Sequence, residues 1–183
     1  MESMSTDLRY VTLAAHELAR VGEIDRIERI DAIYVQHGSQ LGLVVGDRSS
    51  PPWDAEGDGE HSVATLREML EEWMHRGATM RGSFAGKRLV GIGGVLPHLR
   101  PGVAQLVVLY VTNGFRGRGI GRRLSAELDE IARAAGDTSM AISAAPSLNT
   151  VRFYLGQGYA PMEEPLPELL ELEPEDIHME KPL

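Results

Sequence analysis

The sequence predicts an α/β protein of the α+β kind, with a mixed, largely antiparallel central sheet flanked by helices. Three observations carry this. Ala78 to Phe84 and Arg88 to Leu96 read as two strands joined at Ala85-Gly86-Lys87, a hairpin. Val103 to Val111 is apolar almost throughout, as expected of a central strand covered on both faces. Beyond a glycine-rich turn, Ile120, Leu124, Leu128, Ile131 and Ala135 form the apolar stripe of a helix, and Met140 to Ala144 reads as the strand that follows.

The remaining elements follow in chain order. Arg9 to Leu13 reads as a short first strand, and His16 to Glu28 as a helical stretch with Leu18, Val21, Ile24 and Ile27 on one face. From Ile30 to Val45 the pattern suggests two β segments around His37-Gly38-Ser39, and Gly46 to His61 has loop composition. Ser62 is placed to cap a helix whose Val63, Leu66, Leu70, Trp73 and Met74 share a face, and Gly77 to end it. In the glycine-preceded helix, Arg123 and Glu127, like Asp129 and Arg133, stand four residues apart, and Gly136 stops it. Asn149 to Leu155 is a short helix closed near Gly158, and Ile177 to Leu183 a final strand.

Composition narrows the function. A chain of 183 residues, 43% hydrophobic, is long enough for one core and short for two, so a single domain over 1–183 is expected, with 30–61 as its atypical segment. With no cysteine there is neither a disulfide framework nor a thiolate nucleophile. The opening MESMSTDLRY has no apolar leader, and no segment approaches the ~20 apolar residues of a membrane span, so a cytoplasmic protein with no membrane partner is expected. The net charge of −9, with carboxylates crowded from Glu163 to Asp176, argues against a nucleic-acid partner. The histidines show no metal-site spacing, so no metal is expected. Against this acidic background, Arg116 to Arg123 is a basic turn suited to a small phosphorylated ligand.

Two common phosphate loops do not fit that turn. A dinucleotide-binding Gly-x-Gly-x-x-Gly fails in register, because Leu124 stands where the third glycine would be when counting starts at Gly119. A Walker loop would need Lys followed by Ser or Thr where Arg122-Arg123 stands. Arg116-Gly117-Arg118-Gly119-Ile120-Gly121 instead resembles the Arg/Gln-x-x-Gly-x-Gly/Ala signature of the GCN5-related N-acetyltransferases (GNAT). The preceding "LVVLYV" resembles that family's fourth strand, and "NTVRFYLGQGY" its second signature, with Asn149, Phe153, Tyr154, Gly158 and Tyr159 in register. The likeness runs from near Met80 to the closing strand and is weaker before Ser62. The competing reading makes the glycines an ordinary tight connection and the arginines solvated surface.

The resemblance implies the GNAT acyl-CoA N-acyltransferase fold, acetyl-CoA as cosubstrate, and acetyl transfer by direct attack of a primary amine from a small-molecule or peptide acceptor. It implies cofactor binding by Leu109, Tyr110 and Val111, by Arg116, Gly117, Arg118, Gly119, Ile120, Gly121 and Arg122, and by Asn149, and it makes Tyr154 the general acid. The physics agrees at the turn, since a helix N-terminus leaves amides unpaired and favours phosphate. Asn149 is expected to bond the cofactor or cap its helix. The base is open: Gln105 stands where some family members carry glutamate, and Glu28, Asp31, His98 or a water chain are candidates. Trp73 is expected in the core, and Trp53 either lines an acceptor pocket or anchors its loop. Within 30–61, the hairpin-like Ile33–Val45 stretch either shapes the acceptor site or pairs with a second subunit of a homodimer through an exposed edge. A non-catalytic acyl-CoA sensor is the alternative, sustained by the missing base, and a nucleotide-binding module unrelated to CoA is a third.

Overall fold

The computed structural model describes residues 7–183; Met1 to Thr6, part of the stretch read above for a leader, lie outside the described residues. Seven strands form the main sheet in the order β1-β4-β5-β6-β7-β9-β8, comprising β1 (Leu8–Thr12), β4 (Thr79–Ala85), β5 (Arg88–Arg100), β6 (Val103–Val111), β7 (Ser139–Ala144), β9 (Ile177–Pro182) and β8 (Ala160–Pro161). All neighbours are antiparallel except β6 and β7, which are joined by helix α2 (Ile120–Ala135) in a β-α-β crossover. A separate two-stranded sheet consists of β2 (Glu28–His37) and β3 (Gln40–Ser50). The expected mixed, largely antiparallel sheet is what forms.

Each face of the sheet carries its own helical layer. On one face lie a 3-10 helix (Ala15–Glu23) and helix α1 (Val63–His75), packing Leu18, Val21, Leu66, Leu70 and Trp73 against Met80, Phe84, Ile92 and Val108. On the other lie α2 and α3 (Leu148–Leu155), whose Leu128, Ala132, Val151 and Tyr154 pack against Leu106, Met140 and Ile142. The short helix α4 (Pro167–Leu172) buries Leu169 against Ala141. Because Met140 and Ile142 face α2 and side chains alternate along a strand, Ala141 faces away from α2, so α4 shares the α1 side. A buried ion pair links the two ends of this architecture, with Lys181 Nζ on β9 lying 2.5 Å from Asp129 Oδ2 on α2.

Local chemistry explains most element boundaries. Ser62 Oγ accepts from the Thr65 amide and starts α1, as expected. The expected helix over 16–28 is shorter and tighter than predicted. Asp25 stops it by turning its carboxylate back to the Ile27 amide while its own amide donates to Thr112 Oγ1, and the chain then enters β2 at Glu28. The loop expected from Gly46 begins later, because β3 continues to Ser50. Helix α4 lies in the acidic segment read above by its charge alone, and β8 just before it; Pro167 in the first turn starts α4.

The β2–β3 hairpin is fastened to the body by backbone groups and by side chains, of which Gln36 makes the most bonds. The Tyr34 amide donates to the Pro146 carbonyl at 2.8 Å. Gln36 Nε2 donates to the carbonyls of Met162 (2.9 Å) and His178 (3.2 Å), while its Oε1 accepts from the His178 amide at 2.8 Å. Gln36→Ala strands that buried amide and is expected to cost about 1–3 kcal/mol, a fall of roughly 2–4 °C in Tm per kcal/mol for a domain of this size. Hydrogen exchange checks the mechanism: β2 amides should exchange faster in the variant while α2 amides stay protected.

Candidate active site

The site begins where two parallel strands part. β6 and β7 pair from Val103↔Ser139 to Leu106↔Ile142 and no further, although β6 runs on to Val111 and β7 to Ala144. A register shift in β5–β6 pairing between Gly94 and Val95 leaves Val107 without a partner and bends β6 at the same level. The gap opens into a cleft of about 860 Å³. The Thr112 amide donates to Val90 on β5, so alternation turns the amides of Leu109 and Val111 away from β5 and into the gap. The side chains of Val108 and Tyr110 face the α1 layer, and those of Leu109 and Val111 face α2.

The glycine turn forms the cleft wall on the α2 side. Gly119 is the N-cap of α2 at φ 80°, a conformation that favours glycine, and with no side chain to cap the helix the first-turn amides remain open. Gly121 faces Phe153 and Val111, each about 3.5 Å from where a Cβ would stand. Gly117, Gly119, Ile120, Gly121 and Arg122 all border the cleft. The arginines divide in a way the sequence left open. Arg116 borders the cleft but donates to the carbonyls of Val111, Ile27 and Arg26 at 3.1–3.2 Å, clasping the turn to the start of β2. Arg118 lies over the Phe115 ring, and Arg123 over Tyr10 while pairing with Glu127; neither is a lining residue. Arg122 is the lining arginine of the turn without such an engagement among the described residues.

Tyr154 closes the cleft from α3, 6% exposed and 5.2 Å from the Phe153 ring in an edge contact. Among the described residues no hydrogen bond engages its hydroxyl. Burial, reinforced by Tyr110, Asp176 and Glu173, raises the Tyr154 pKa, so the phenol holds its proton at neutral pH. Asn149 borders the cleft and donates to Glu28 Oε1 at 2.8 Å. Its expected capping role falls instead to Ser147, whose Oγ accepts from the Thr150 amide.

The base candidates also separate. Glu28 borders the cleft. Asp31 is exposed and paired with Arg29 at 3.0 Å. His98 lies within β5 rather than just after a strand; both its amide and ring bond Asp137, away from the cleft lining. Trp73 is core and also borders the cleft, whereas Trp53 packs edge-on to Tyr110 at 5.5 Å beneath the Arg26 guanidinium and anchors its loop. Among the described residues no group of three or more His, Asp or Glu side chains is placed to hold a metal ion. Among the described residues no helix is long and apolar enough to cross a membrane.

Two cleft residues escaped the sequence reading. Glu173 and Asp176, between α4 and β9, line the cleft near Tyr154. Burial and the neighbouring Glu173 carboxylate push the Asp176 pKa up to about 7. Burial raises Glu173 as well, against a lowering hydrogen bond from Ser143. The only signal in the sequence was their place in an acidic run, the pattern of a solvated surface.

A model of the Acetyltransferase (GNAT) family matches residues 48–159. The chain belongs to the GNAT family. The match runs from the last residues of β3 to just beyond α3 and so includes the parting strands, the glycine turn and Tyr154. A nourseothricin acetyltransferase has the same fold at 16% identity, with a TM-score of 0.70 over 96% of this chain and 98% of that one. A structure described as a streptothricin acetyltransferase from Bacillus anthracis strain Ames, in complex with acetyl coenzyme A, aligns at 14% identity and TM-score 0.70 over 97% and 99%. The PaiA N-acetyltransferase of Thermoplasma acidophilum, in complex with coenzyme A, aligns at 18% identity and TM-score 0.62 over 97% and 99%. No curated protein matches the chain in sequence.

The raised Asp176 pKa has a definite consequence for stability. Between its ordinary value of 3.8 and about 7, the native protein holds a proton that the unfolded chain has released. That stabilising contribution is complete below the window and lost as pH rises through about 7. Asp176→Asn removes the dependence, so its stability relative to wild type should grow by roughly 1–3 kcal/mol across the window. Urea denaturation at half-unit pH steps measures it; parallel curves for the two proteins would contradict the assignment.

Proposed function

We propose that the chain transfers the acetyl group of acetyl-CoA to a primary amine of a small-molecule or peptide acceptor, by direct attack within the cleft. The observation that carries this reading is the coincidence of three features at one gap: parted strands, an uncapped glycine-led helix and a buried protonated tyrosine. The CoA-bearing neighbours of the same fold support the cosubstrate.

Each residue then has a task. The amides of Gly119, Ile120, Gly121 and Arg122 receive pyrophosphate at the positive end of α2, and the Arg122 side chain adds charge. Gly117 lets the backbone approach, and Arg116 and Arg118 fix the turn through Val111 and Phe115. Leu109, Tyr110 and Val111 flank the pantetheine arm; the outward amides of Leu109 and Val111 suit the carbonyl oxygen that becomes negative during attack. Asn149 orients Glu28 beside the same arm. Tyr154 donates a proton to the departing sulfur, whose thiol pKa near ~8.5 makes it an undemanding leaving group.

Two measurements test this. Thermal unfolding with acetyl-CoA, CoA, ATP and NAD side by side should show a rise only with the two CoA ligands, about 2.7 kcal/mol of added stability at ~100 times Kd. No rise with either removes the reading. In an amine screen that includes nourseothricin, Tyr154→Phe should lower kcat by roughly 10- to 100-fold without changing the CoA-induced rise; full activity in that variant removes Tyr154 as the acid. Gly121→Ala offers a separate check, since a methyl there meets no protein clash but narrows the cleft. It should leave the ligand-free Tm equal or higher while weakening acetyl-CoA binding several-fold.

A further inference from the structure

The cleft has a second pole. Ser143 alternates with Ile142 and Ala144, which face α2, so it faces the α4 side, where it bonds His178 Nδ1 at 3.1 Å and stands close enough to Glu173 to lower its pKa. Gln105, paired in register with Ala141, lies on that side too, 4% exposed and bordering the cleft. The carboxylates of Glu173 and Asp176 therefore stand on the face of the sheet opposite the glycine turn, and the gap between β6 and β7 connects the two.

Neither carboxylate has a cationic partner among the described residues, and no cation contributes to the titration of either. The charged groups nearby are already engaged. Arg26 donates to the Pro51 carbonyl and stacks on Trp53. Glu28 is held by Asn149, and the His178 pKa is lowered by burial, its Nδ1 lying 3.1 Å from Ser143 Oγ. Arg48, on the hairpin, and Arg122, at the glycine turn on the opposite side, are the remaining lining cations. An independent observation points the same way: the Tyr154 hydroxyl, on a side chain that is 6% exposed, borders this space without a protein partner among the described residues. The half-buried Asp176 carboxylate and the more exposed Glu173 carboxylate, both lining the cleft beside an unpartnered phenol, form a site complementary to a cation.

We propose that Glu173 and Asp176 form the acceptor subsite, Glu173 holding a cationic amine by charge-assisted hydrogen bonds and Asp176 taking its proton. The proposal rests on the acetyl-transfer reading and names its substrate class, amines that arrive as ammonium ions. The protons balance. Asp176 removes one proton from the ammonium and passes it to solvent, leaving a neutral amine. The nitrogen bonds the thioester carbon as the carbon–sulfur bond breaks. Tyr154 gives its proton to sulfur, and the second proton shed by nitrogen restores the phenol. Gln105 cannot accept a proton usefully, which leaves Asp176 best matched to this role.

The test uses spermidine and 1,5-diaminopentane as probes, titrated by calorimetry into the full chain with and without CoA. Wild type should bind at least one of the two polyamines saturably, and Glu173→Gln and Asp176→Asn should each weaken it ~10- to 100-fold while leaving the CoA-induced rise in Tm unchanged. Equal binding by wild type and both variants, or no binding of either probe by wild type, overturns the proposal. Loss of CoA binding alone overturns the preceding reading instead, and the amine titration without CoA still decides this one. For the proton role, kcat/KM of wild type should rise with pH through a midpoint near 7, and Asp176→Asn should move that midpoint toward the amine's own pKa. An unmoved midpoint overturns Asp176 as proton acceptor, and Asp176→Glu should restore it in part.

Discussion

The whole arrangement depends on a hydrogen-bond ladder that stops. β6 and β7 share only four residue pairs before they diverge, and a sheet interrupted at its centre leaves polar backbone facing open space. The interruption persists because each diverging strand is held elsewhere. β6 stays bonded to β5 as far as Val111, with Thr112 continuing to Val90, and β7 stays bonded to β9 through Ala144. Helix α2 spans the two strands and fixes their spacing through Leu128 and Ala132 beneath, while its own N-terminus is delivered to the mouth of the gap. The cleft, the oriented amides and the uncapped helix are thus one feature seen from three sides.

Arg116 shows how such openness is made rigid. A turn containing glycines with positive φ would be mobile if left to itself, and three carbonyl acceptors on two separate segments hold it through one guanidinium. The same side chain ties the entry of β2 to the end of β6, so the hairpin above the cleft and the turn beside it keep a fixed relation. Lysine could not reproduce a planar fork reaching three oxygens.

Much of this was legible in the sequence where local chemistry decides structure. The limits of β6 and α2 follow from a run apolar but for Gln105 and from periodicity ending at Gly136, and Ser62 announced its helix. The hairpin over 30–45 was readable from alternation, but its extension to Ser50 was not, because pairing across the hairpin rather than composition keeps Arg48 to Ser50 extended. Resemblance located Tyr154 and the turn, yet could not show that Arg118 and Arg123 are spent on aromatic rings, since those partners, Phe115 and Tyr10, are set by packing. The carboxylates were invisible for the opposite reason. Glu173 and Asp176 sit in a run where acidic residues usually face water, and only the folding of α4 onto Ala141 brings these two over the gap.

That placement gives the molecule an electrical polarity through its thickness. Unneutralised helix amides and Arg122 lie on one face of the sheet, two carboxylates on the other, and a narrow low-dielectric passage lies between them. Field lines concentrate in such a passage, so the potential inside survives screening that would erase it across open solvent beyond about 8 Å at physiological ionic strength. An anion and a cation approaching this protein are drawn to opposite mouths, and each meets the other only where the sheet is open.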